Sequence, residues 1–359
     1  MIIIVSVGNL PDTFHDLADA LARLPNGFTR TQSGLELEIL KRIFTEEEAR
    51  LASTLTIEYE RPTEIAKRNQ MMPDTVEELL KSMSRKGMLW TSMEDNETLY
   101  RLAPFVVGIY EAQLHSMDHN FAHLVEDYFQ EGGLEAIMKP LPSIHRVVPA
   151  QSAVKTEWIL PYDDVKKILL ESKTFRVNDC ICRKQQEYVG RSCDFPIHTC
   201  MTFSTHERAP RPGDVSKEEA LALLDKVEKI GLVHTVSNVV EGVNYICNCC
   251  GCCCGILRGL TEFGYENSIA VANYYAVVDS ETCIGCGICE TRCQVSAMSL
   301  VDGMASVDLA KCIGCGLCVT GCSVEAASLV LKPVDERIDP PENFGVWEKK
   351  RLENRRSDH

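Results

Sequence analysis

Apolar positions recur at helical spacing through the first third of the chain. Leu35, Leu37, Ile39, Leu40 and Ile43 outline one helical face and lead into Thr45-Glu46-Glu47-Glu48, a favourable helix start. Arg61-Pro62-Thr63-Glu64 opens a short helix, and Met72-Pro73-Asp74 opens a second that closes at Lys86-Gly87. The period then changes. Met88 to Trp90 and Thr98 to Leu102 predict two paired strands around the polar tip Ser92 to Glu97. Phe105 to Met138 is again helical, with His115, His119 and His123 on one stripe; only Asp118 stands near as a further ligand, so these read as surface histidines. Pro140 to Pro149 predicts a linker or an extended crossing segment. Further on, Ser216 caps a helix through Glu219, with Leu221, Leu224, Val227 and Ile230 as its buried face and Gly231 as its stop. Short strands are predicted at Ala276 to Asp279, Ala297 to Val301, Met304 to Val307 and Ser328 to Leu331. The last segment, from Pro333, is rich in charge and predicts a polar tail that extends over a partner or stays disordered.

The chain has 359 residues, 45% hydrophobic and 25% charged, which suits two to four globular domains. It has no apolar stretch of the ~20 residues that a membrane helix needs. The opening MIIIVSVGNL lacks a basic start and a small-residue cleavage site, so it predicts a short strand, with the protein in the cytoplasm. A formal net charge of −15 disfavours nucleic acid and anionic membranes as partners and suits steering towards a basic patch on a protein.

Cysteine changes the picture most. Eighteen thiols fall in two tight groups, a pattern that favours metal or cluster ligation over disulfides across distant loops. In the C-terminal group the chain repeats itself at a spacing of 29: Asp279 to Leu300 and Asp308 to Leu329 share 13 of 22 positions, all four cysteines included. Each copy reads C-x2-C-x2-C-x3-C. Three thiolates on a tight glycine-bearing loop wrap one corner of a cubane, and the fourth opens a short helix towards the other. This assigns one [4Fe–4S] cluster to Cys283, Cys286, Cys289 and Cys322, and a second to Cys312, Cys315, Cys318 and Cys293.

The other ten thiols are Cys180, Cys182, Cys193, Cys200, Cys247, Cys249, Cys250, Cys252, Cys253 and Cys254. They could hold two cubanes with two thiols left over, or one cluster plus a zinc ion. Six cysteines within eight residues cannot all reach one metal without strain, so a subset is expected to ligate. Arg183 and Arg258 directly follow cysteine motifs, where they either donate hydrogen bonds to cluster sulfurs or stand solvated.

The C-terminal repeat resembles the bacterial two-[4Fe–4S] ferredoxin domain over about 55 residues. It departs from that family in having Gln294 and Ser323 where proline usually follows the fourth cysteine. Ser172 to Arg183, Gly231 to His234 and Cys247 to Cys254 resemble a module of 4Fe–4S dicluster proteins from anaerobic bacteria, placed ahead of such a ferredoxin domain. Helix, turn, helix and β-hairpin over residues 35–105 resemble a winged helix-turn-helix domain. DNA binding is disfavoured there by fourteen acidic residues against ten basic ones, with Asp74, Glu77 and Glu78 at the start of the candidate recognition helix.

These readings give an α+β multidomain protein. Its expected parts are an N-terminal strand or arm (1–34), a winged-helix-like domain (35–105) and a helical connector (106–139). A cysteine-rich iron–sulfur module (140–275), a pseudo-symmetric two-[4Fe–4S] ferredoxin fold (276–333) and a polar tail (334–359) follow. The expected function is electron transfer, as a protein or as the subunit of an oxidoreductase complex. Low-potential electrons would pass between the ferredoxin clusters, one or two further [4Fe–4S] clusters in the central module, and a flavoprotein or metal-cofactor oxidoreductase in a hetero-oligomer. No nucleotide-binding fingerprint or P-loop is present. The alternatives are an iron–sulfur redox sensor acting through the winged helix, and an enzyme with an unusual central cluster as its active site.

Overall fold

The computed structural model describes residues 13–357. The strand expected in the first ten residues lies outside them. The chain divides into two compact units, Met1–Ile137 and Met138–His359.

In the first unit, the helix Thr13–Arg23 buries Leu17, Ala18 and Leu21. The helices Leu35–Ile43, Glu46–Ala52, Pro62–Asn69 and Pro73–Arg85 follow. Thr45 and Glu48 form a reciprocal capping box at the third of these five helices, satisfying two backbone N–H groups that the first turn leaves open. Strands β1 (Leu89–Glu94) and β2 (Glu97–Leu102) pair antiparallel from Leu89↔Leu102 to Glu94↔Glu97. Asp95 and Asn96 turn between them with positive φ, the backbone that a two-residue hairpin loop requires. The helical region expected from Phe105 is interrupted: Val106 to Gly108 are not helical, and Asp118 caps a fresh helix, His119–Gln130, by accepting from Phe121 N–H at 2.8 Å. His119 and His123 stack at 6.4 Å on its surface, and His115 lies in a separate turn, also exposed.

The second unit is built on a seven-stranded sheet. Its strands are β3 (His145–Val148), β4 (Thr174–Asp179), β5 (His198–Ser204), β6 (Asp214–Val215), β7 (Val233–Ser237), β8 (Tyr245–Cys249) and β9 (Ile269–Ala270), in the order β6-β4-β5-β8-β7-β3-β9. The segment read as a linker, Pro140 to Pro149, therefore contains an interior strand. All four β3 residues are buried, and Arg146 within it pairs with buried Asp163 at 2.8 Å.

Strand alternation gives the sheet two different faces. Phe175, Met201, Phe203, Val236 and Ile246 form an apolar core with Val165, Leu169, Ala220 and Leu224 from the helices Val165–Glu171 and Lys217–Ile230. The opposite face carries Cys200, Thr202, Thr235, Tyr245, Cys247 and Cys249. The Lys217–Ile230 helix has the expected Ser216–Glu219 capping box and left-handed Gly231 stop. Leu224 and Val227 of the expected face are buried, but at the N-terminal end Ala220 is fully buried where Leu221 is only half-buried, and Ile230 at the C-terminal end is exposed.

The C-terminal repeat has two small sheets. Strand β10 (Tyr274–Val278) pairs with β13 (Ala327–Leu331), and β11 (Met298–Val301) pairs with β12 (Met304–Val307). Short helices, Ile288–Arg292 and Leu317–Thr320, carry the third cysteine of each copy. Contrary to expectation, the fourth cysteine does not open a helix but follows the end of one, because Cys293 caps the first helix at its C-terminus and Cys322 lies just beyond the Gly321 cap of the second. The expected polar tail is a helix, Phe344–Ser357. Its Trp347 donates to Ser143 O at 3.0 Å, and Arg351 donates to Pro140 O and Pro142 O at 2.6 Å, both side chains being buried. The charged composition hides two anchors that face inward. Among the described residues, no helix is long and apolar enough to cross a membrane.

Candidate metal centres

Each cysteine loop of the repeat is tied at its start by an aspartate. Cys283 N–H donates to Asp279 O, and Cys312 N–H donates to Asp308 O, both at 3.0 Å. Gly285 and Gly314 take left-handed φ values of 67° and 71°. A Cβ at either would run into the carbonyl of Gly303 or of Tyr274, so the first loop lies flat against the turn between β11 and β12 and the second against the start of β10. The folding of the two loops makes two cavities. One is lined by Cys283, Cys286, Cys289 and Cys322, and the other by Cys293, Cys312, Cys315 and Cys318. Three thiols in each come from one copy and the fourth from the other.

The residues around both cavities fit an iron–sulfur cluster. Backbone N–H groups aim at sulfur: Ala297 to Cys293 Sγ at 3.1 Å, and Ala305 to Cys283 Sγ at 3.5 Å. The bond from Ala305 and another from Gly285 lower the Cys283 thiol from its ordinary range. Burial instead pushes Cys318 up to about 12 and raises Cys315 further. The first cavity lies near the surface, with Cys286 exposed beside exposed Ile284, Ile288 and Leu300. The second faces the central module, where Ala150 N–H donates to Cys315 O at 2.9 Å.

The ten central cysteines separate into six and four. Cys180 lies in hydrogen-bond contact with Cys182 and Cys200, and Cys182 with Cys254. Cys200 meets Cys247, Cys247 meets Cys249, and Cys249 meets Cys254. The six contacts close a ring. Its origin is the sheet: the β5–β8 register sets Met201 against Ile246, so its continuation sets Cys200 against Cys247, and Cys249 follows on the same face. Cys180 directly follows β4 and caps the helix Ile181–Tyr188, which carries Cys182 in its first turn, while Cys254 caps the helix Gly255–Thr261. Bonds from Cys182 and Cys200 draw the Cys180 thiol well below its ordinary range. The other five are held well above theirs by bonding to neighbouring thiols and by burial.

The remaining four are compact. Cys193, Cys250, Cys252 and Cys253 have sulfurs within 4.8 Å of one another, and among the described residues no other set of three or more metal-binding side chains is gathered so closely. The run Cys247 to Cys254 is thus divided between two sites. Cys247 and Cys249 project to the ring, and Cys250, one step on, projects to the other face of the sheet beside Val227 and Leu232.

Arg183 lies between the two groups. It is buried and donates to Thr199 Oγ1 and Asn248 O at 2.7 Å and to Pro196 O at 3.1 Å. Burial opposes its charge, but the thiolates of Cys180 and Cys250 outweigh it and raise the guanidinium above its ordinary range. Arg258, also buried, forks onto Glu262 at 2.6 and 3.0 Å and lies over the Phe263 ring.

Sequence reasoning missed the role of Gln294. Its side chain accepts from Gly251 N–H at 2.8 Å and donates to Gly231 O at 2.9 Å. A Cβ on Gly251 would collide with the Gln294 carbonyl, so the repeat and the central module touch backbone to backbone here. Arg292 adds bonds to Lys229 O and Glu228 O at 2.7 and 2.9 Å. The missing proline after Cys293 was the available signal. No curated protein matches the chain. Residues 275–323 match the family model described as a 4Fe-4S dicluster domain, which supports an iron–sulfur, ferredoxin-type domain in this part of the chain.

Proposed function

We propose that this protein is an iron–sulfur electron carrier or the electron-transfer subunit of an oxidoreductase complex. The observation that carries the reading is the pair of cavities, each lined by three cysteines of one copy and the last of the other. Cys283, Cys286, Cys289 and Cys322 would hold one [4Fe–4S] cluster, and Cys312, Cys315, Cys318 and Cys293 a second. The six-thiol ring would hold a further cluster, with Arg183 compensating negative charge beside it. Such clusters supply one-electron chemistry when bound.

The residues order these sites. Ile284, Ile288 and Leu300 offer an apolar rim at the outer cavity, where a flavoprotein or metal-cofactor oxidoreductase would dock. Gln294 and Arg292 hold the inner cavity against the central module. The helices and hairpin of residues 35–105 follow the order of a winged helix, and we assign them a docking or structural role. Asp74, Glu77 and Glu78 at the start of the Pro73–Arg85 helix would repel phosphates.

The test is iron and acid-labile sulfide per chain after anaerobic purification, with EPR during a redox titration. About twelve irons or more, in reducible clusters, are expected. A chain with only trace iron, or one that does not exchange electrons with dyes and flavoproteins, would overturn the proposal. Tight, specific DNA binding in a gel shift at ~0.1 M salt would replace it with the sensor reading.

A further inference from the structure

We propose that Cys193, Cys250, Cys252 and Cys253 form a closed tetrahedral site for a single zinc ion, and not a fourth site for an iron–sulfur cluster. The argument is one of size. A zinc–thiolate bond is about 2.3 Å long, which puts the sulfurs of a regular tetrahedron about 3.8 Å apart. A cubane holds each thiolate beyond a different iron corner, which spreads the sulfurs to about 6 Å. In this protein Cys253 Sγ stands 3.5 Å from Cys193 Sγ and 3.7 Å from Cys252 Sγ, and all four sulfurs lie within 4.8 Å of one another. Neither cavity of the C-terminal repeat gathers three sulfurs so closely.

The quartet is also held from widening. Cys254 N–H donates to Cys250 O at 3.2 Å, closing one turn around three of the four thiols. Gly251 in that turn abuts the Gln294 carbonyl, and Cys250 and Cys253 pack on Val227 and Leu232. Spreading the sulfurs to cubane spacing would turn Cys250 and Cys253 out of this packing. Four thiolates around one divalent ion carry a net double negative charge, and Arg183, hydrogen-bonded to Cys250, stands beside it.

Four protein ligands leave no open position, so the role is structural. The ion would clip the Cys193 loop to the turn that carries Cys254 of the ring and Gly251 of the Gln294 contact. The inference rests on sulfur spacing and not on the electron-transfer reading.

Zinc and iron would be counted together on the full chain, purified without air and dialysed against a chelator, as wild type, Cys252→Ser and Cys193→Ser. Zinc-edge X-ray absorption on the wild type needs no variant to fold. About one zinc per chain is expected, with four sulfur neighbours at about 2.3 Å. Both variants are expected to lose at least tenfold in zinc occupancy while iron and sulfide stay unchanged. The proposal is overturned by wild type without zinc, by a single iron in its place, by variants that lose about four irons each, or by variants that change in neither metal.

Discussion

The C-terminal repeat and the central module both concentrate cysteine, but they gather it in opposite ways. In the repeat, a local loop of seven residues in each copy brings its first three thiols together, and the other copy supplies the fourth. In the central module, strands β4, β5 and β8 and two helix starts bring together thiols from Cys180 to Cys254. The repeat writes its site into spacing. The module writes its sites into sheet register, which splits neighbours such as Cys249 and Cys250 between two faces.

The largest test of this contrast is Cys247→Ser. On the proposed function it should abolish the cluster assigned to the six-thiol ring, at least about four irons, and leave the EPR signals of the repeat in place; loss of every signal would show that the two regions do not form independently. Cys286→Ser is the reciprocal change, expected to remove one cluster of the repeat while the central signal survives.

Gln294→Pro restores the residue usual in ferredoxins and removes both side-chain bonds to the central module. At about 1 kcal/mol per bond, the second unit should lose roughly 2 kcal/mol in anaerobic denaturant unfolding, with iron content unchanged. Electron transfer between the two regions, read by rapid-mixing spectroscopy, should slow. Undiminished rate and stability would mean that this contact does not join them.

Arg183→Gln removes the buried cation beside Cys180 and Cys250. The central potential should fall by on the order of 60 mV, equivalent to a tenfold change in a one-electron equilibrium, while the potentials of the repeat stay fixed. The smallest effect is expected from Ser216→Ala, which removes a helix cap and should cost about 1 kcal/mol without altering any metal count.

Much of the local structure was legible. The hairpin, the Thr45 and Ser216 caps and the strands Met304–Val307 and Met298–Val301 all follow from turn chemistry and periodicity, although the hairpin tip is only Asp95-Asn96 and not the wider Ser92 to Glu97, because strand pairing continues through polar residues to Glu94↔Glu97. The misreadings share one cause. Pro140 to Pro149 looked like a linker because prolines bound it, yet tertiary contacts use the four residues His145–Val148 as an interior strand. The polar tail looked solvated because only Trp347 and Arg351 turn inward, too few to register as a periodic face. Ile230 continues the apolar spacing of Leu224 and Val227, yet the last buried residue of that helix is Val227 and Ile230 lies exposed beyond it.

By itself, the sequence pointed to the chemistry: the tandem C-x2-C-x2-C-x3-C loops mark the iron–sulfur, ferredoxin-type segment that the family model matches, and the repeat predicts the exchange of the fourth cysteine seen in the two cavity linings. It also determined most helix starts and stops, because capping and turn preferences act within a few residues. Only the tertiary structure decided which of ten central thiols meet. That choice depends on strand order and register, which are set by the burial of Met201, Val236 and Ile246 on the opposite face of the sheet. Sulfur spacing, and with it the difference between a cubane and a single ion, is a property of those long-range contacts.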